Sequence, residues 1–489
     1  MSAEAAVLAL DLGTTSVRAL VLNRAGTVLG RASAPLSHRY PQPGWLEQDP
    51  DEFVRLSIDV MRTAIDLSGQ SPESICSLGI VSQRSTAIAW DAETGEALAP
   101  AIGWQDRRNQ ERVDQLIALG IPINTLASAT KFEWLLLNDS RVQAAAARGT
   151  LRFGTPDVWL THRLSRGSCF VTDPGHAACT GVYNAEEEGW WSVALQLFGI
   201  DAAFLPEIVP TSHVVGEVQA SLLGASIPIA ARAGDQQAST FAQGVNRPGM
   251  AKLTLGTSAM LNLHVEDAKV LPPEGYYALP LWRLGEKADT ETKACLEGTV
   301  ITAGSSIEWL REIGLLPAAT ELDSIASNVP DSQGVVFVPA FQGLGSPYLD
   351  VSARASIFGL TRGSEPAHIA RAAIDGVSHR CVDLCESLPL EDEPLRVDGG
   401  LARSTVLMQT LSDLAGRPLL RAAESETTAL GAAYFAGLAV GYWNDPAEAI
   451  ATAQAPTPFH PKLSDEQRRS ARARWCDAIS RTRSEQQAH

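Results

Sequence analysis

The chain has 489 residues, 45% hydrophobic and 19% charged, with 39 Lys and Arg against 56 Asp and Glu for a formal charge of −17. That length exceeds what one hydrophobic core serves, so at least two domains are expected, and the composition is that of a globular chain rather than a disordered one. The acidic field excludes broad contact with nucleic acid or anionic membrane, which need clustered Lys and Arg. It leaves ATP open, because Mg²⁺ and a few local arginines decide that contact.

Residues 7–35 read as a three-strand meander with a turn at Asn23–Gly26. Its first bend, Asp11-Leu12-Gly13-Thr14-Thr15-Ser16, is glycine and hydroxyls between two apolar runs. Such a bend leaves backbone N–H groups uncrowded and suited to wrap a phosphate. Asp11 at its mouth would repel phosphate unless a cation such as Mg²⁺ lay between them, and Arg18 adds a fixed positive charge just beyond. Alone, such a bend is more often a plain hairpin. A Pro-rich loop follows over Pro41–Pro50, then a helix over Glu52–Leu67 and strands over Leu78–Ser82 and Thr86–Trp90, joined through Gln83-Arg84-Ser85. Helical segments are expected over Glu111–Leu119 and Phe132–Leu137, and short strands and turns over Val209–Ile229.

Ala233-Gly234-Asp235-Gln236-Gln237 comes after an apolar segment and before a small-residue helix pattern. A carboxylate there can take a proton from an attacking hydroxyl, while Gln236 can hydrogen-bond a neighbouring one. The bland alternative for Asp235 is a helix cap. Arg84 can orient a polyol hydroxyl or serve as a surface ion-pair partner. Trp104 can pack on a carbon backbone or lie in the core.

Asn246-Arg247-Pro248-Gly249 punctuates the chain, dividing it into 1–246 and 247–489. Just past it, Lys252–Leu263 repeats the strand, Gly-Thr, strand plan with Gly256-Thr257-Ser258 at the bend. Two such bends half a chain apart suggest two related halves that grip one nucleotide, the logic of an actin-like ATPase. A helix over Thr302–Ile313, a buried strand over Val335–Phe341 and buried helices over His368–Asp383 and Thr427–Leu438 are expected. Leu395-Arg396-Val397-Asp398-Gly399-Gly400 ends an apolar run in glycines that let backbone approach a base or ribose. The last thirty or so residues are polar, Arg-bearing and read as a frayed end. The seven cysteines are scattered without Cys-x-x-Cys spacing and read as buried free thiols in a reducing compartment. The absence of a long apolar run and of a basic, apolar leader gives the cytoplasm as the expected setting.

Taken together these motifs resemble the FGGY carbohydrate kinases, most closely the glycerol kinases, from Leu8 to about Trp443. Asp11–Ser16 matches the first phosphate loop, Thr130-Lys131-Phe132-Glu133-Trp134-Leu135 the first signature helix, and Phe153–Leu160 and Gly234–Gln237 are similar to glycerol-kinase segments. Pro339–Tyr348, Ile357–Gly363 and Val397–Gly400 complete the pattern. The resemblance implies two actin-like (ribonuclease H-like) α/β domains with a nucleotide cleft between them, ATP and Mg²⁺ as cofactors, and a homo-oligomer, dimer or tetramer. It implies phosphorylation of a terminal hydroxyl, with glycerol the leading substrate and xylulose, ribulose or erythritol as alternatives. By similarity Asp235 is the general base, and Asp11 and Asp235 hold the metal. Thr14, Thr15, Arg18, Gly256 and Thr257 contact phosphates, and Gly304, Glu308, Gly400, Leu401 and Ser404 line the nucleotide. Arg84, Ser85, Trp104, Leu126, Asp235, Gln236 and Met260 form the substrate pocket. Here Ser85 replaces a glutamate, Leu126 a tyrosine, Met260 a phenylalanine, Ser404 an asparagine and Glu308 a glutamine. An actin-like ATPase switch without a polyol pocket is the reading outside this class.

Overall fold

The computed structural model describes residues 5–121, 123–285, 291–424 and 426–484. The chain divides into two compact units: unit 1 is 1–244, 279–293 and 426–453, and unit 2 is 245–278, 294–425 and 454–489. The first segment ends two residues before the division expected at 246. That single cut does not describe the rest, because the chain returns twice to unit 1, so 247–489 is not one unit.

Unit 1 is built on β1 (Ala6–Leu12), β2 (Ser16–Leu22), β3 (Val28–Pro35), β4 (Ile75–Ser82), β5 (Ser212–Val218) and β6 (Ile227–Gly234), ordered β5-β6-β4-β1-β2-β3. β1, β2 and β3 form the expected antiparallel meander, and β1, β4 and β6 run parallel. β1 reads AVLALDL and is buried at every position, as a central strand covered on both faces must be. The Pro50–Ser68 helix starts at Asp49, whose side chain accepts from Asp51 N, has Pro50 in its first turn, and stops at Gly69 in the left-handed region. Its apolar face (Phe53, Val60, Met61, Ala64, Ile65) joins the core with Leu8, Leu10 and Leu78.

The Thr427–Ala439 helix is buried nearly all round and packs on the Asp235–Ala242 helix and on β1, β4 and β6 of unit 1. Gly431 makes that approach possible, since a Cβ there would collide with the Ala238 carbonyl.

Unit 2 repeats the plan with β7 (Ala251–Leu255), β8 (Ala259–Val265), β9 (Lys293–Val300), β10 (Leu395–Asp398) and β11 (Leu419–Arg421). β9-β8-β7 is an antiparallel meander, and β7, β10 and β11 run parallel. Both units thus set two parallel strands beside the first strand of an antiparallel meander, and in unit 1 the antiparallel strand β5 closes that edge. Their common topology is what makes the two bends equivalent.

Two expectations fail in unit 2. Of Val335–Phe341 only Val336–Val338 is strand, paired with Ser356–Phe358. The tail is no frayed end: Asp465–Thr482 is a helix with a capping box at Ser464 and Gln467, and it buries Trp475, Ala478 and Ile479. Residues 485–489 lie outside the described residues. Cys169, Cys295 and Cys381 are buried free thiols as expected, whereas Cys476 is exposed. Among the described residues no helix is long and apolar enough to cross a membrane.

Candidate active site

In unit 1 the parallel strands end together, and so do the groups they carry. Asp11 stands near the end of β1, Arg84 follows β4, and Asp235 opens the helix after β6. The Arg84 guanidinium (Nε) lies 3.4 Å from Asp235 Oδ1, with Arg84 largely buried and Asp235 partly exposed. So Arg84 is an ion-pair partner, but of the candidate base rather than of a surface acid. Asp235 is the first residue of its helix; Gly234 holds the cap position, and Asp235 Oδ1 accepts from Gln236 N at 2.8 Å.

Trp104 is partly exposed rather than core, and its indole N–H donates to Thr14 Oγ1 at 2.9 Å. That bond ties the candidate pocket to the first bend. Asp106 fixes the Trp104 turn by accepting from Leu46 N at 2.6 Å and from Arg108 at 2.8–3.0 Å. The bend itself closes through Gly13 N to Ser16 O at 3.0 Å. The Thr14 carbonyl is held by Gln48 Nε2 at 3.1 Å and the His38 ring at 3.0 Å, and Gln83 Nε2 donates in turn to Gln48 Oε1 at 2.9 Å. Thr15 is exposed at the tip.

Arg18 lies 3.5 Å from Asp11. Burial nevertheless pushes the Asp11 carboxyl up to about 7; Arg18 opposes this, and the nearby Asp235 and Glu426 carboxylates add to it. The charge of both acids is thus felt at Asp11. Glu426 was not among the expected site residues. Its Oε2 is buried without a hydrogen-bond partner among the described residues, and nothing local in Glu424-Ser425-Glu426 marks it. Ser85 is buried and holds a left-handed backbone (φ 66°), while Leu126 is 36% exposed.

Unit 2 gathers its own set. Gly256 N bonds Ser258 O at 2.9 Å to close the second bend. Gly304 N donates to Gly256 O at 2.9 Å, and Ala303 N and Ser305 N donate to Thr257 O at 3.0 and 3.2 Å, so the Gly304–Glu312 helix starts against that bend. A Cβ on Gly304 would sit 2.5 Å from the Gly256 carbonyl. Gly399 (φ 96°) passes equally close to Leu255, whereas Gly400 faces open space. Leu401 packs against the unit 2 core.

The remaining expected nucleotide residues are otherwise engaged. Ser404 Oγ accepts from Leu407 N at 3.0 Å as a helix cap and donates to Asp323. Glu308 is paired with Arg311 on the outer face of its helix. Met260, expected in the substrate pocket, lies on β8 opposite Thr254.

Two units that each set parallel strands beside an antiparallel meander, with a glycine-hydroxyl bend after the first strand, define an actin-like two-domain α/β protein. Residues 6–242 match the N-terminal domain of the FGGY family of carbohydrate kinases and residues 251–440 match its C-terminal domain. The chain belongs to the FGGY family of carbohydrate kinases. It is 43% identical to a glycerol kinase of Aromatoleum aromaticum over 98% of each chain, and 39% identical to glycerol kinase 2 of Thermotoga maritima over 97% of this chain and 98% of that one. The crystal structure of Plasmodium falciparum glycerol kinase with ADP superposes with a TM-score of 0.91 at 30% identity, covering 98% of both. A xylulose kinase of Lactobacillus acidophilus shares the fold at a TM-score of 0.84 and 22% identity, covering 97% of this chain and 98% of that one.

Proposed function

We propose that this protein transfers the γ-phosphoryl group of ATP to a terminal hydroxyl of glycerol, giving glycerol 3-phosphate and ADP. The observation that carries the reading is the Arg84–Asp235 pair at the end of β4 and β6; Trp104 is tied separately to the first bend through Thr14. An ATPase switch has no use for that pocket.

Asp235 accepts the proton as the alcohol oxygen attacks phosphorus in line, the bond to the bridging β,γ-oxygen breaks, and ADP leaves with the electron pair. Arg84 and Gln236 orient hydroxyls, and Trp104 packs against the carbon chain. Ser85, Leu126 and Met260 shape the rest of the pocket. Thr14, Thr15, Arg18, Gly256 and Thr257 contact phosphates. Gly304, Gly400 and Leu401 line the nucleotide, with Glu308 and Ser404 at its periphery, their side chains already partnered.

Asp11 and Asp235 would hold Mg²⁺: burial and the charge of Asp235 push the Asp11 carboxyl up, a strain a divalent cation would relieve. Mg²⁺ is commonly held by one or two carboxylates together with substrate phosphates. When bound, Mg²⁺ neutralises phosphate charge. A cytoplasmic setting and a dimer or tetramer go with this reading, and light scattering tests the latter.

The deciding experiment measures ADP release from Mg-ATP with glycerol, erythritol, xylulose and ribulose in parallel. Glycerol is expected to give the highest kcat/KM. Because Ser85 and Leu126 alter the pocket, a glycerol value far below another alcohol's would overturn glycerol while leaving the kinase chemistry in place.

A further inference from the structure

Lys131 is fully buried, and no carboxylate is within ion-pair distance of it among the described residues. Its ammonium instead donates to three backbone carbonyls: Ser85 O at 3.1 Å, Thr125 O at 3.0 Å and Leu126 O at 3.2 Å. These come from two separate stretches of unit 1. One is the left-handed turn after β4 that carries Arg84 and Ser85. The other is the loop entering the Ser128–Asn138 helix, which carries Leu126. Burying an unpaired ammonium costs free energy, and pure packing does not require it. What the lysine supplies is three donors in tetrahedral array from one point, which fixes the distance between two loops that make no backbone ladder with each other.

Its neighbours reinforce that junction. Asn109 Nδ2 donates to Thr125 O at 3.3 Å and to Thr130 Oγ1, and Thr130 Oγ1 donates to Ala127 O at 2.8 Å. The loop thus has few ways to move without breaking buried bonds. Burial holds the ammonium down to about 7, with Asp106 opposing and Arg108 assisting, so an ion of marginal charge is kept here.

We infer that Lys131 is a positioning residue that sets the spacing of the Ser85 turn and the Leu126 loop, and through them the width of the alcohol pocket. This rests on the proposed location of that pocket.

The test compares Lys131→Met and Lys131→Arg with the wild type, using glycerol and Mg-ATP. Both variants are expected to raise the glycerol KM tenfold or more, Met more than Arg, with kcat and the ATP KM within threefold. An unchanged glycerol KM, with or without an apparent kcat that falls with the folded fraction, overturns the inference. If Lys131→Met does not fold, Lys131→Arg decides by the same split, since a planar guanidinium cannot reproduce the three bonds. Should the wild type phosphorylate no alcohol, the kinase reading fails separately, and hydrogen exchange then judges Lys131. Deprotection confined to 83–87 and 124–127 in a folded variant supports the role, and deprotection spread over unit 1, or none, overturns it.

Discussion

Unit 1 and unit 2 fold the same way and differ in what they place at matching positions. Two residues before the first glycine of each bend, unit 1 has the buried Asp11 and unit 2 has Thr254. After the parallel strand next to the meander, unit 1 has Arg84, paired with Asp235, and unit 2 has the close backbone approach of Gly399. Both units bury charge with and without compensation. In unit 1 burial pushes Asp11 up to about 7, Lys131 down to about 7 and Arg232 down to about 10, while Asp106 is satisfied by Arg108 and Leu46 N; in unit 2 burial raises Asp375. The Asp383 group of unit 2 is compensated, accepting from Arg380 and Arg472 at 2.7 Å and from the Trp475 indole at 3.1 Å. On the proposed reading, one topology serves as a chemical half in unit 1 and as a cradle in unit 2.

The sharpest division of labour is expected at Asp235. Asp235→Asn should lower kcat by about 10²–10⁴-fold while ATP affinity, measured by calorimetry, stays within about threefold. Equal loss of both would mean that unit 1 does not hold the chemistry separately. Asp11→Asn should likewise cripple turnover, yet stabilise the ligand-free protein. An Asp whose carboxyl is raised from the ordinary 3.8 to about 7 holds its proton longer folded than unfolded. Relative to the Asn variant, the wild type therefore loses stability as pH rises from about 4 to about 7. At pH 8 the gain should be about 1–3 kcal/mol in urea unfolding; a loss would show that Arg18 outweighs burial.

The cradle half breaks through backbone. Gly304→Ala places a Cβ 2.5 Å from the Gly256 carbonyl, whereas the same change at Gly13 meets Ser16 O at 3.2 Å. The Gly304 variant should weaken ATP binding by about tenfold, roughly 1.4 kcal/mol, with little change in glycerol KM. The Gly13 variant should cost less. Reversed sizes would remove the claim that unit 2 is the more tightly built around its bend.

What could be read in advance was what is local. The bends, the Asp235 strand-to-helix junction and the Pro50–Ser68 helix each rest on neighbours in sequence, so composition and capping signals sufficed. Arg84 and Trp104 were singled out, but their partners, Asp235 and Thr14, lie 151 and 90 residues away, and only the folded sheet joins them. The same distance hid Glu426, the Gln83–Gln48–Thr14 relay and the return of 427–439 to unit 1, since an all-apolar helix does not say which sheet it covers. The Asp465–Thr482 helix was missed for another reason. Its surface is so polar that Trp475 and Ile479, four residues apart on one face, were outweighed.

Lys131 tests whether unit 1 carries its buried charge at a cost. Its ammonium binds protons up to about 7 folded and up to 10.5 unfolded. Between those values the unfolded state holds more protons, so stability should rise with pH from about 7 to about 10 relative to Lys131→Met, by up to ~1.4 kcal/mol per unit. Asp106 and Arg108 are unchanged in the variant, so their own effects cancel in the difference. Urea midpoints at pH 7 and 9 measure it, and a flat difference would mean that the three carbonyls fully replace water around the ammonium.

The smallest effect belongs to the unit 2 counterpart of Asp11. Thr254 Oγ1 is buried with no hydrogen-bond partner among the described residues, so it contributes a desolvated hydroxyl and nothing to offset it. Thr254→Val preserves shape and removes that group. The ligand-free protein should become more stable by at most ~1 kcal/mol, with ATP affinity and kcat unchanged, the opposite of the activity loss at Asp11. A tenfold fall in ATP affinity would instead assign the Thr254 hydroxyl to the nucleotide. The matching positions of the two bends would then both be functional, differing in charge but not in role.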